Sequence, residues 1–169
     1  PLAGVAGSNN WVVAGARSAS GKPLLANDPH LGLTAPGTWY PLRIEWQGRF
    51  VQGVSIPGGP GVVIGQNDRL AWGFTNLMTD VQDLYWEAPE GERLELIPVK
   101  GRAPERLRVP LGRHGPQLRP GLSLQWTALD PARLRNPLLS VNAARDWAEF
   151  NAALDGFPGP AQNAVYADR

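Results

Sequence analysis

Cysteine is absent from the 169 residues. A disulfide framework, a cysteine-ligated zinc site and a thiol nucleophile are therefore excluded. No apolar run approaches the roughly 20 residues that a membrane-crossing helix needs. Charge of one sign is lacking as well: 16 Lys and Arg face 15 Asp and Glu, for a formal net charge of +1. The basic residues are scattered or interleaved with glutamate, so there is no stripe for nucleic acid. Arg102, Arg106, Arg108 and Arg113 lie close together, but Glu105 interrupts them, which reads as a solvated hairpin face. No stretch of these residues reads as a signal peptide. The abrupt ends, Pro1-Leu2-Ala3-Gly4 and Tyr166-Ala167-Asp168-Arg169, read as a segment of a longer protein. Internal repeats, a Walker loop and a dinucleotide fingerprint are also missing.

What is present is punctuation. Twenty glycines and 17 prolines separate short runs of aromatic and β-branched residues. That pattern predicts a sheet-rich domain with many turns, and the length suits one domain with its own core. Strands are expected at 11–16, 23–26, 39–46, 50–56, 62–65, 70–76, 82–87 and 163–168. A charged, peripheral β excursion is expected over about 88–121, with 122–127 returning to the main sheet. One helix is expected near 146–154, because Trp147, Phe150 and Leu154 share a face. Arg145-Asp146 reads alternatively as its capping turn, and Gly156-Phe157-Pro158-Gly159-Pro160 ends it. Residues 1–7 are small and read as a linker or propeptide remnant.

The first two strands make a hairpin through Ser18-Ala19-Ser20-Gly21-Lys22. That hairpin would carry Ser8 at one end and return Asn27-Asp28-Pro29-His30 to the same end. This geometry brings His30 near Ser8. Ordinary readings stand beside these: a loop serine, and a histidine that serves structure. Two other hydrolase signals fail. Gly58-Gly59-Pro60-Gly61 lacks the leading histidine of a glycine-rich oxyanion loop, and Gly53-Val54-Ser55-Ile56-Pro57 misses the last glycine of a nucleophile elbow.

Taken together, Gly7-Ser8-Asn9-Asn10-Trp11-Val12-Val13, then Ala26-Asn27-Asp28-Pro29-His30-Leu31-Gly32, then Trp72-Gly73-Phe74-Thr75-Asn76 resembles the start of the β-chain of the penicillin acylase family. The likeness is strong over residues 7–87, looser to about 140, and returns from Trp147 to Asp168. It implies an α+β fold, a fragment of a four-layer αββα N-terminal-nucleophile hydrolase sandwich, predominantly antiparallel β. It implies that Ser8 is the nucleophile, freed by self-cleavage of the Gly7-Ser8 bond, with its own α-amine as base. A free α-amine has a pKa of about 7.7–8.0, so part of it is neutral near pH 7.

The resemblance gives the other residues roles too. His30, where penicillin G-type members carry glutamine, would orient the nucleophile. Asn76 would give a backbone N–H to the oxyanion hole; no residue of this chain matches the family's second donor, an asparagine side chain. Leu31, Ile64 and Phe74 would line an acyl pocket. Asp80, Gln82 and Asp83 would bind structural calcium in the parent protein, with turn-capping as the ordinary reading. His114 reads as structural. The parent would hydrolyse a linear amide, such as the acyl side chain of a β-lactam or of an acyl-homoserine lactone, without a cofactor for the chemistry. Its partners would be an α-subunit and the rest of the β-subunit from one precursor, and its place periplasmic or extracellular; no nucleic acid or membrane partner is implied. The fragment itself is expected to be inactive, and to self-associate through an apolar sheet face left without its partner layer. Two alternatives remain open: a non-catalytic β-rich binding or structural module, and a family member that has lost activity.

Overall fold

In the computed structural model, residues 7–130, 135–157 and 159–169 are described. The leader residues 1–6, and Pro158 within the turn expected after the helix, lie outside them. The chain divides into two compact units, 1–78 with 135–169, and 79–134.

The first unit begins with a two-stranded ribbon, β1 (Gly7–Val13) and β2 (Leu24–His30), paired antiparallel from Gly7↔His30 to Val13↔Leu24. β1 starts four residues before the apolar run, and β2 continues past the expected 23–26 through Asn27-Asp28-Pro29-His30. The two polar stretches pair with each other along the ribbon, and Asn10 and Asn27 find partners on the next layer. Pro29 is tolerated because a two-stranded ribbon leaves one edge of each strand unpaired. The hairpin is followed by β3 (Tyr40–Trp46), β4 (Arg49–Ser55), β5 (Ile64–Asn67) and β6 (Leu70–Asn76).

The second unit holds β7 (Gln82–Trp86), β8 (Gly91–Val99), β9 (Arg102–Gly112), β10 (Gly115–Arg119) and β11 (Leu122–Trp126). They form one antiparallel sheet in the order β7-β11-β10-β9-β8. β11 therefore does not rejoin the main sheet, as its sequence suggested. It pairs with β7 from Leu122↔Trp86 to Trp126↔Gln82. The excursion is a closed unit of its own, and it begins at Thr79 rather than near 88. Single-strand patterning cannot distinguish these pairings, because either sheet would accept the same alternation.

Back in the first unit, α1 (Leu138–Ala143) and α2 (Trp147–Leu154) precede β12 (Gln162–Asp168). α2 begins one residue later than its outermost expected start. Asp146 is its cap, and the carboxylate accepts the Glu149 N–H at 2.9 Å. Glu149 reaches back past the cap to the Arg145 N–H at 2.9 Å, so one donor of the helix and the N–H just before its cap are satisfied. α1 was not foreseen, since six residues carry too little periodicity to register.

The main sheet runs β12-β6-β5-β4-β3, antiparallel throughout. Alternation sorts its two faces. Val51, Leu70 and Trp72 point to one side and bury with Val141, Ala144 and Phe150 of the helical segment. Tyr166 of β12 joins them, its ring 5.1 Å from that of Phe150 and 5.2 Å from that of Trp147. The opposite face carries Gly73 and Thr75, and on it sits the β1–β2 hairpin. Helices, sheet and hairpin thus stack as successive layers of this unit.

Candidate active site

The site is built where the hairpin meets β6. Asn10 and Asn27 are cross-strand partners in the hairpin, so their side chains leave it on the same face. Both reach the main sheet. Asn10 Nδ2 donates to Thr75 Oγ1 and to the Asn163 carbonyl, each at 3.3 Å. Asn163 Nδ2 donates to the same Thr75 hydroxyl at 3.3 Å. Asn27 Oδ1 accepts the Phe74 N–H at 2.8 Å, while its Nδ2 donates to the Asn9 carbonyl at 2.8 Å. Ser8 pairs with Pro29 and shares the face of Asn10. It lies one pleat, about 7 Å, from the Asn10–Thr75 contact.

Asn76 closes β6 beside that contact. The Leu77 N–H donates to the Ala161 carbonyl at 3.0 Å. Successive N–H groups alternate across a strand, so the Asn76 N–H leaves β6 on the edge away from β12. The Phe74 N–H leaves on that same edge. β5 pairs with β6 at Gly65↔Trp72 and Gln66↔Ala71, and past Trp72 it is the hairpin's Asn27 that fills the edge. The Asn76 side chain serves the neighbouring backbone instead, where its Oδ1 accepts the Met78 N–H at 3.1 Å. That bond helps hold Met78 at φ 58°, a conformation few non-glycine residues adopt.

His30 is Gly7's cross-strand partner, so the backbone returns beside the Gly7-Ser8 bond as the hairpin argument required. Its ring, however, leaves on the face opposite the Ser8 side chain. There Nδ1 is 2.9 Å from Asp28 Oδ1, and Asn9 Nδ2 lies 3.4 Å from the other oxygen of that carboxylate. Both members of the His30–Asp28 pair are more than half exposed.

The three apolar positions do not converge on one cavity. Ile64 lines an open groove of about 640 Å³ with Leu25, Asn27, Leu42 and Gln52. Neither Leu31 nor Phe74 is among the residues that line it. Leu31 is half exposed just past β2, and Phe74 packs against the buried cluster under the helices.

Asp80, Gln82 and Asp83 belong to the second unit, where Asp80 Oδ1 accepts the Gln82 N–H at 3.3 Å. Among the described residues no group of three or more His, Cys, Asp or Glu is placed to hold a metal. Calcium takes six to eight oxygens, so these residues do not make a calcium site by themselves. His114, in the same unit, is held by Glu87: Nδ1 to Oε2 is 2.7 Å, and the His114 N–H donates to Oε1 at 3.0 Å. Its ring stacks on Tyr85 at 3.7 Å. The backbone N–H of His114, more than any other group, draws the Glu87 carboxyl down from 4.5 to about 2.

Sequence reading overlooked Asn10, Asn27, Gly73, Thr75 and Asn163 as site-forming residues. The available signal was an asparagine near the Ser8 end of each hairpin strand, at positions that a core-facing strand would normally fill with apolar side chains.

The chain has known relatives. The penicillin amidase family matches residues 2–169. An acyl-homoserine lactone acylase, QuiP, of Pseudomonas aeruginosa is 39% identical over 92% of this chain and 20% of its own length. Penicillin acylase 2 proenzyme of a Pseudomonas species is 32% identical over 65% of this chain and 16% of its own. The crystal structure of a thermostable penicillin G acylase from Alcaligenes faecalis superposes with a TM-score of 0.73 at 26% identity, over 94% of this chain and 33% of that one. The chain spans about a fifth of the length of the curated relatives it matches. Its fold is a mostly antiparallel part of the N-terminal-nucleophile hydrolase architecture. With the family matched from end to end, and the fold shared with a solved acylase, this chain belongs to the penicillin amidase family.

Proposed function

We propose that the full-length protein containing this chain is an acylase that hydrolyses a linear amide through an N-terminal serine. The observation that carries this reading is the register of the hairpin. It sets Ser8 on the face turned to β6, beside the strand end where the Asn76 N–H leaves the sheet.

The chemistry follows from those positions. Cleavage of the Gly7-Ser8 bond gives Ser8 a free α-amine. The Ser8 hydroxyl adds to the substrate carbonyl while the α-amine takes its proton. Negative charge then develops on the carbonyl oxygen, where the Asn76 N–H is a donor; loss of one such donor costs about a hundredfold or more in rate. The amine leaves with the proton returned, and an acyl ester on Ser8 remains. Water adds to the ester by the same route and releases the acid. While Ser8 stays bonded to Gly7 its nitrogen is an amide and cannot act as base, so the uncut chain is inactive.

The stronger likeness to proteins named as acyl-homoserine lactone acylases favours an N-acyl-homoserine lactone over a β-lactam as substrate. Work on such a substrate outside the cytoplasm fits a periplasmic or extracellular place. The remaining layers would come from an α-subunit and the rest of the β-subunit. A structural calcium ion at Asp80, Gln82 and Asp83 would need further oxygens from those parts.

Intact mass and N-terminal sequencing of the full-length product test the reading. A chain beginning Ser8-Asn9-Asn10, lost together with amidase activity in Ser8→Ala, is the expected result. A single uncut chain without amidase activity would move the protein to the non-catalytic alternatives.

A further inference from the structure

The Asn27 amide is used at both ends, by two bonds that join three strands. Its Oδ1 holds the Phe74 N–H of β6 and its Nδ2 holds the Asn9 carbonyl of β1, each at 2.8 Å. The sheet is shaped to receive it. A Cβ on Gly73 would come within 2.7 to 2.9 Å of the Asn27 Cβ, Cγ and Oδ1, closer than side chains can pack, so β6 carries glycine where the amide enters.

The two ends of this bridge are informative. Asn9 is bonded directly to Ser8. The Phe74 N–H lies one pleat from the Asn76 N–H, on the same edge of the same strand. Between the proposed nucleophile and the proposed oxyanion donor, this bridge contains only strand backbone and one planar amide. Asn10 supplies a second anchor, but through two longer contacts of 3.3 Å, to the Asn163 carbonyl and to the Thr75 hydroxyl that Asn163 also uses.

We infer that Asn27 is a positioning residue, which sets the separation between Ser8 and the oxyanion donor of β6. The inference rests on the acylase reading above. Acyl transfer is sensitive to such a separation. Donors work at 2.7–3.1 Å from the developing oxyanion, and a displacement of about 1 Å costs on the order of a hundredfold in rate. An amide suits the place because it offers an acceptor to an N–H and a donor to a carbonyl on one rigid plane. Asn27→Asp keeps the acceptor and turns the donor into an oxygen facing the Asn9 carbonyl, which pushes β1 off its seat with almost no change of volume.

The test uses the full-length protein, with kcat and KM measured on a chromogenic N-acyl anilide and referred to the fraction of chain that mass spectrometry shows to be processed. N27D should lower kcat tenfold to a hundredfold with KM within about twofold and the thermal midpoint nearly unchanged. A merely structural asparagine would instead lower the midpoint and leave the kcat of the folded fraction intact, and that result overturns the inference. Should N27D not fold, Gly73→Ala carries the same comparison, since it keeps every hydrogen-bonding group and pushes Asn27 off β6; wild-type kcat in G73A overturns the inference too. Failure of the acylase reading looks different: the wild type is inactive, or Ser8→Ala remains active. The seat is then judged by hydrogen exchange at the Phe74 amide. Exchange at least tenfold faster in Asn27→Ala upholds the bridge, and an unchanged rate overturns it.

Discussion

Asn142 shows what a single buried amide contributes to this fold. It is almost wholly buried, accepts the Val62 N–H and donates to the Val62 carbonyl, both at 2.7 Å. Gly61 makes room for it at φ 70°, where a Cβ would stand 2.5 Å from its Oδ1. Asn142→Ala would leave both Val62 groups buried and unpaired, at a cost of at least about 2 kcal/mol. Denaturant unfolding of the full-length variant checks this; a loss below about 0.5 kcal/mol would show that water takes over the bonds. Glu87 yields a pH prediction of the opposite kind, free of the main core. Its folded pKa, about 2, lies below its ordinary 4.5. The stabilisation it gives the His114 turn is therefore complete above about pH 4.5 and disappears as pH falls toward 2. Tyr85–His114 stacking, followed by near-UV circular dichroism, should weaken across that window in the wild type. Glu87→Gln should remove the part of that dependence due to this carboxyl. These residues were legible only in part: the sequence suggested that His114 is structural, but its partner stands 27 positions away.

At the scale of elements, the helix that carries Phe150 depends on one capping residue. Asp146→Ala removes the acceptor of the Glu149 N–H and should destabilise the protein by about 1 kcal/mol, seen as a lower thermal midpoint. Phe150→Ala, by contrast, opens a cavity in the cluster with Trp72 and Tyr166 and should cost about 3–5 kcal/mol. Equal effects from the two variants would contradict the layered packing. Periodicity made α2 readable, and strands β3 through β6 followed the apolar runs to within two residues at each end. β1 and the end of β2 did not, because these polar stretches pair with each other as a ribbon and only Asn10 and Asn27 bond them to another layer. Sequence patterning measures burial of apolar side chains; it does not register a strand whose inward face is amide.

At the scale of the whole molecule, the two units have separate sheets and separate determinants. Acid should therefore loosen residues 79–134 before the core of Val51, Trp72 and Phe150, and unfolding should be other than two-state. Hydrogen exchange at pH 3, resolved by segment, checks this; uniform exchange in both units would refute it. The 169-residue chain also exposes large apolar side chains on its strands, among them Trp11, Tyr40, Leu84 and Trp86. Produced alone, it should self-associate, and a monomer by sedimentation would count against that expectation.

The sequence by itself determined the class of the protein. Gly and Pro punctuation with short β-branched runs required a turn-rich sheet, absence of cysteine removed thiol chemistry, and three motifs in order pointed to the family. Those are properties of residue identity and local spacing. Tertiary structure alone decided that β11 closes a second sheet, that the His30 ring turns to Asp28 instead of toward Ser8, and that two asparagines seat the hairpin on β6. Each of these depends on which face of a strand meets which neighbour. A strand presents its faces by alternation, but its partner is chosen by the energy of the assembled layers, which no local stretch of sequence contains.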